Sequence, residues 1–300
     1  MKSEKTMLEF SALGGLFFAI FGVVWGTITK SSMIKFDGLY ASVSLILSVI
    51  SIFVTNYIST KDYDKFPFGK GVLEPITVSV KSMILIVMCS ITFYDAVKVV
   101  LSGGSKSNTD LALGYSLVST IVCLFVYKIL SKNSKKISSD ILKAESSQWL
   151  MDTMLSVAVL IGFIISIALE YTQLKGLSVY VDSFMVIITS GMFIKVPVMA
   201  LVESFKEISN SNADSDINQE IDLIVKDIQK KYKFEDSITR VSKVGRQLRI
   251  EIDFVFNDDS KLYDINEMDD VREVIYSKMK NIKLEKWLNV NFTGDRKWAV

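Results

Sequence analysis

Long apolar runs alternate with short polar breaks over the first two thirds of the chain. About 20 apolar residues cross a bilayer as a helix. The pattern predicts six spans, at about Leu8–Ile28, Ser32–Tyr57, Leu73–Leu101, Leu111–Leu130, Ser147–Leu169 and Val179–Val202. Gly14, Gly15, Gly22 and Gly26 in the first span offer close-packing positions. That run lacks a small-residue cleavage site, so it is expected to be a retained span and not a signal peptide.

After the sixth span the period changes. Ile217, Ile221, Ile224, Val225 and Ile228 share one face of a helix over Ile217–Lys231, with Asp216 as its expected N-cap. Ile238–Val244 and Leu248–Phe256 read as a hairpin around Gly245 and Arg246. Leu248, Ile250, Ile252, Phe254 and Phe256 alternate on one face. A helix over Ile265–Met279 and a strand over Trp287–Phe292 follow. This αββαβ order suits an antiparallel sheet with helices on one face. The expected fold is therefore an α-helical membrane protein of six transmembrane helices (1–205), followed by a small cytoplasmic α/β, ferredoxin-like domain (206–300). A domain of that size is marginal alone, and pairing with a second copy would help it.

Composition agrees. Half of the 300 residues are hydrophobic and the mean hydropathy is +0.35. Residues 204–300 carry 17 Lys and Arg against 19 Asp and Glu, a net of −2, which excludes a nucleic-acid binder on charge grounds. Cys89 and Cys123 fall inside apolar spans and read as small core residues. Lys2, Lys5, Lys61, Lys65, Lys70, Lys128, Lys132, Lys135, Lys136 and Lys143 lie on one side of the spans. The loops on the other side carry Lys30, Lys106 and Lys175. The positive-inside rule places both termini in the cytoplasm.

Asp37 and Asp152 interrupt apolar spans, and the chain contains no histidine. An ionisable group at mid-bilayer costs roughly 2.5–3.5 kcal/mol on insertion scales, so it marks a functional site by default. Two such acids suggest a cation path, and without imidazole any ion held there relies on oxygen donors. The structural alternative is an ion pair of these acids with Lys81 or Lys35.

Several segments carry a resemblance. Asp37-Gly-Leu-Tyr-Ala41 in span 2, Phe68-Gly-Lys-Gly71 followed by Glu74, and Ala144-Glu-Ser-Ser-Gln148-Trp-Leu-Met-Asp152 in span 5, with Asp182 opening span 6, together resemble the cation diffusion facilitator family. The resemblance implies a homodimeric exporter that exchanges a divalent metal for protons. It also implies a site built from Asp37, Ala41, Gln148 and Asp152. Residues i and i+4 share a helix face, so two such pairs on neighbouring helices can converge.

This chain departs from the family pattern. Ala41 supplies no ligand, and Gln148 offers an amide oxygen where the family has histidine. Two carboxylates and one amide disfavour Zn²⁺ and suit Mn²⁺ first, then Fe²⁺. Lys70 and Phe66 stand where loop histidines would be, and the tail has no histidine for a metal sensor. Val72 and Asn210 replace the Lys and Asp of the family's charge interlock.

Lys81 lies two turns into span 3, as a built-in counter-ion that modulates the site or as a residue snorkelling to the interface. Lys35 and Lys195 are expected to snorkel. Glu74, Glu145 and Asp182 sit near helix ends, where carboxylates favour the dipole. Asp95 could face an exit vestibule. Asp258, Asp259, Asp264, Glu267, Asp269 and Asp270 read as a solvated turn and helix surface.

The expected protein is an inner (plasma) membrane, multi-pass homodimer moving a divalent cation against protons by alternating access. It is expected to be no enzyme and to hold no resident cofactor. Two alternatives stand beside this. One is a scaffold or regulator of the same fold that has lost transport, and the other is a monovalent cation/proton antiporter.

Overall fold

The computed structural model describes residues 2–60, 64–137, 140–245, 247–262, 264–282 and 284–299. Within these, the side chains of residues 2–5, 8, 48, 51, 52, 55, 59, 134–137, 140–145 and 147 fall outside the description. The expectations for Lys61 and Arg246 lie outside the described residues, and those for Lys2, Lys5, Lys135, Lys136, Lys143, Ala144 and Glu145 rest on side chains outside the description. The chain divides into two compact units, Met1–Ile52 with Lys81–Val198, and Phe53–Val80 with Met199–Val300.

Long helices make up the first unit. They are α1 (Lys2–Thr29), α2 (Ser32–Ser59), α3 (Leu73–Leu101), α4 (Thr109–Ile137), α5 (Asp140–Glu170) and α6 (Ser178–Phe193), continued by α7 (Lys195–Ile208). The helices α2, α3 and α7 run on into the second unit. Among the described residues, five segments are long and apolar enough to cross a membrane: Glu9–Thr29, Leu73–Leu101, Thr109–Asn133, Gln148–Glu170 and Lys175–Ile208. The expected sixth span is interrupted at Ile194, between α6 and α7. Pro197 has no N–H to offer the Phe193 carbonyl, so the ladder breaks one turn before it.

The α1–α2 crossing depends on glycine. A Cβ on Gly22 would stand 2.6 Å from the Gly38 Cα and 3.2 Å from the Tyr115 hydroxyl, so neither α1 nor α2 tolerates a side chain at that point. At the start of α2, Asp182 of α6 accepts from the Ser31 hydroxyl at 2.5 Å and from the Ser32 N–H at 2.7 Å. Asp182 thus caps α2, a helix 150 residues earlier in the chain, and not the helix that carries it. Trp149 of α5 donates to Ser11 of α1 at 2.7 Å and packs against Phe18, fixing α5 against α1.

The second unit holds α8 (Ser215–Tyr232), β1 (Asp236–Val244), β2 (Gln247–Val255), α9 (Ile265–Lys278) and β3 (Glu285–Thr293), the expected αββαβ order. The sheet order is β1-β2-β3. The expectation of an antiparallel sheet is corrected: β1 and β2 are antiparallel, but β2 and β3 are parallel. Two strands separated by one crossover helix run the same way, and α9 is that crossover. The N-cap of α8 is Asp214 and not Asp216, which sits in the first turn.

The core of this domain forms as the alternation predicts. Leu248, Ile250, Ile252 and Phe254 are buried against Ile221, Val225 and Ile228 of α8 and Val271 and Ile275 of α9. Burying each such side chain contributes about 1.5–3 kcal/mol. Phe234, Phe254, Phe256 and Phe292 add an aromatic cluster with neighbouring ring centroids 4.6–6.1 Å apart. In the acidic segment, Asp264 caps α9 by accepting from the Glu267 N–H at 2.9 Å, and Asp269 pairs with Arg272.

Within the same unit, Glu207 at the end of α7 accepts from Lys243 at 2.9 Å and from the Gly245 N–H at 2.9 Å. Gly245 has φ +60°, and a Cβ there would lie 2.8 Å from the Gly71 carbonyl oxygen. The ring of Phe68 lies 5.7 Å from that of Trp287. The Phe68–Gly71 segment therefore rests on the hairpin and on β3.

Candidate functional site

In the helical unit a cavity of about 330 Å³ lies among α1, α2, α4, α5 and α6. Its lining contains Asp37 and Ala41 of α2 and Gln148 and Asp152 of α5. The helical period explains the local arrangement, since each pair is four residues apart and so shares one helix face. That the two faces turn towards one space is a tertiary fact. Asp37 and Asp152 are half-buried, and Gln148 is exposed to the cavity.

The remaining lining mixes apolar side chains such as Phe18, Leu45, Leu155 and Phe193 with polar ones where the spans were expected to be apolar. Ser44 of α2, Ser119 and Cys123 of α4 and Ser156 of α5 face the same space. The hydroxyls of Ser119 and Ser156 are 3.0 Å apart, with the Cys123 sulfur 3.8 Å from Ser156. Tyr115 of α4 donates to Asp37 Oδ2 at 2.9 Å. Its ring stacks on Phe21 of α1 with centroids 5.1 Å apart.

Sequence reasoning passed over Tyr115 and Ser119 and read Cys123 as a small core residue. A signal was available: Tyr115, Ser119 and Cys123 recur every fourth residue, a polar stripe on one face of an otherwise apolar span.

The cavity offers an ion two carboxylates, one amide oxygen and several hydroxyls. Among the described residues, no three Cys, Asp or Glu side chains cluster closely enough to hold a metal by themselves. An ion there would keep part of its water. At about 30 Å³ per water, 330 Å³ has room for several.

Other candidates fall elsewhere. Lys81 is half-buried on α3 and is not among the cavity-lining residues. Lys35, Lys195 and Asp95 are exposed, and Glu74 is half-buried in the first turn of α3. Lys70 is buried, a reversal of the usual place of lysine. Its ammonium donates to the Thr60 hydroxyl at 3.0 Å and lies 4.0 Å from the centre of the Tyr57 ring. A fixed ammonium thus occupies the position that the family resemblance gives to a histidine.

The model of the cation efflux transmembrane domain matches residues 9–209. The chain is 19% identical over 261 residues to the magnetosome protein MamB of Magnetospira sp. (strain QH-2), a match covering 87% of this chain and 86% of that protein. It is 23% identical over 206 residues to the manganese efflux system protein MneP of Bacillus subtilis (strain 168), covering 68% of each.

Proposed function

The chain belongs to the cation efflux family, whose members are transporters and not enzymes, and on that premise we propose that it exports a divalent metal cation, Mn²⁺ before Fe²⁺, in exchange for protons. The observation that carries the proposal is the cavity that gathers Asp37, Gln148 and Asp152 on facing helices. Two carboxylates supply the charge and Gln148 a neutral oxygen. Water and the hydroxyls of Ser44, Ser119 and Ser156 complete the shell. Oxygen-rich, partly hydrated coordination favours Mn²⁺ over Zn²⁺. The relation to a manganese efflux protein points the same way.

In this reading the protein has six spans, α6 and α7 together forming the last, and both termini are cytoplasmic. It sits in the plasma membrane as a homodimer, with the αββαβ domain, a ferredoxin-like unit, assisting the pairing. The ion enters from the cytoplasm, the helices rock, and protons replace it on Asp37 and Asp152 so that the site resets. Lys81 lies outside the ion's shell, its long stem carrying the ammonium towards the cytoplasmic boundary.

The test is reconstitution in liposomes containing a pH-sensitive dye, with Mn²⁺, Fe²⁺, Zn²⁺, Mg²⁺ and Na⁺ added in turn. Proton movement driven by Mn²⁺ and lost in Asp152→Ala is the expected result. A response to Na⁺ alone makes the protein a monovalent antiporter. A second reading, a scaffold of the same fold without transport, is favoured by Ala41 and by the lack of a three-acid cluster among the described residues. Silence for all five ions from folded dimer establishes it.

A further inference from the structure

Asp37 faces two spaces. The 330 Å³ cavity meets it from one side, and a second space of about 10 Å³, room for about one water, meets it from the other. The order along the helices is consistent. On α2 the large cavity runs from Asp37 to Leu45 and the small one from Met33 to Asp37. On α4 the large one touches Ser119 and Cys123 and the small one Tyr115 to Ser119. On α5 the small one reaches on to Val159. In the orientation proposed above, the large cavity lies on the cytoplasmic side and the small one on the outer side.

Asp37, Ser119, Leu155 and Ser156 line both spaces, and Tyr115, which lines the small one, donates its hydroxyl to Asp37 Oδ2. Tyr115 has little freedom to move: it is buried, stacked on Phe21, and its hydroxyl fits over Gly22.

We propose that Tyr115 is a positioning residue and the outer latch of the cation site. By donating to one oxygen of Asp37 it leaves the other for the ion, and it closes the route to the outer side until the bond is released. The proposal rests on the reading of Asp37 as an ion-binding carboxylate. A hydrogen bond to a charged group is stronger than one between neutral groups, so a cation drawing on the same carboxylate competes with the tyrosine donor. Removing the hydroxyl gives the ion both oxygens. Binding then tightens and release slows.

The measurement is Mn²⁺ binding by calorimetry on purified protein, together with the KM and kcat of Mn²⁺-driven proton flux in proteoliposomes. Wild type, Tyr115→Phe, Tyr115→Leu and Asp37→Asn are compared, with thermal melts to show that each is folded. Phe keeps the ring that stacks on Phe21, and Leu removes the donor by a different shape. Both are expected to bind Mn²⁺ about tenfold more tightly, with KM falling and kcat falling with it. A purely structural role would lower kcat without tightening binding. Wild-type Kd and KM in the two Tyr115 variants, with binding lost in Asp37→Asn, overturns the latch and leaves the site standing. Undiminished Mn²⁺ binding by Asp37→Asn overturns the site, and the latch falls with it.

Discussion

The two units differ in what their surfaces carry and in how much polar matter they bury beside an apolar core. In the tail domain Leu248, Ile250, Ile252 and Phe254 are at most 1% exposed, while most of its charges lie on the outside. In the helical unit the outward faces carry Ile20, Val87, Ile121, Met154 and Ile188, each more than half exposed, and the buried set includes Ser31, Ser116, Ser119, Ser156 and Asp182. The tail is built for water, which rewards apolar burial. The helical unit is built for a medium as apolar as its own surface, where packing and interhelical hydrogen bonds hold the helices together. A polar group inside the tail is a packing detail, such as Asp253, which accepts from Arg240 at 2.7 Å and from Asn291 at 2.8 Å. A polar group inside the helices is either structural, as Asp182 is, or a candidate for function, as are Ser119 and Ser156, which line the cavity that holds Asp37 and Asp152.

This contrast can be broken in the helices first. Asp37→Ala together with Asp152→Ala is expected to abolish Mn²⁺-driven proton flux in proteoliposomes while the protein still elutes as the folded wild type does. Unchanged flux would remove both carboxylates from the mechanism. The next largest effect is expected in the tail, where Phe254→Ala should cost about 3–5 kcal/mol. Limited proteolysis should then cut the tail while the helices stay protected.

A smaller effect is expected at Asp182. Its replacement by Ala removes the cap on α2 and should cost about 1–2 kcal/mol, read as a lower melting temperature in detergent. Ser183→Ala beside it serves as the comparison. Lys81→Met is expected to leave the KM for Mn²⁺ within twofold. A clear fall in KM would make the ammonium a counter-ion of the site.

The smallest expected effect is at the Glu207–Lys243 pair. Glu207 raises the pKa of Lys243 above the ordinary lysine value. The stability this contributes is present in full below that ordinary value and is lost as pH rises through the raised one. Lys243→Met should therefore cost under about 1 kcal/mol near neutrality, and nothing at strongly alkaline pH. Denaturant titration at two pH values reads the difference.

Much of this was legible in the chain. The span over Leu73–Leu101 has the bounds of α3, and the alternation from Leu248 to Phe254 became the buried face of β2. The spacing of Asp37 to Ala41 and of Gln148 to Asp152 put each pair on one face, and the cavity contains all four. The errors share a cause. Asp182 reads as a cap in isolation, but which helix it caps depends on how α6 lies against α2. The direction of β3 depends on the path of α9, which strand composition does not record.

What the sequence determined by itself is therefore whatever repeats locally: apolar length, helical and strand period, and the shared face of residues four apart. These follow from backbone geometry, which is the same at every position. Only the tertiary structure decided that Tyr115 meets Asp37 across 78 residues, that Ser119 meets Ser156, and that glycines at 22 and 38 let two helices touch. Those contacts depend on the rotation and depth of one helix against another. That register is set by the fit of whole surfaces, and no local window of the chain contains it.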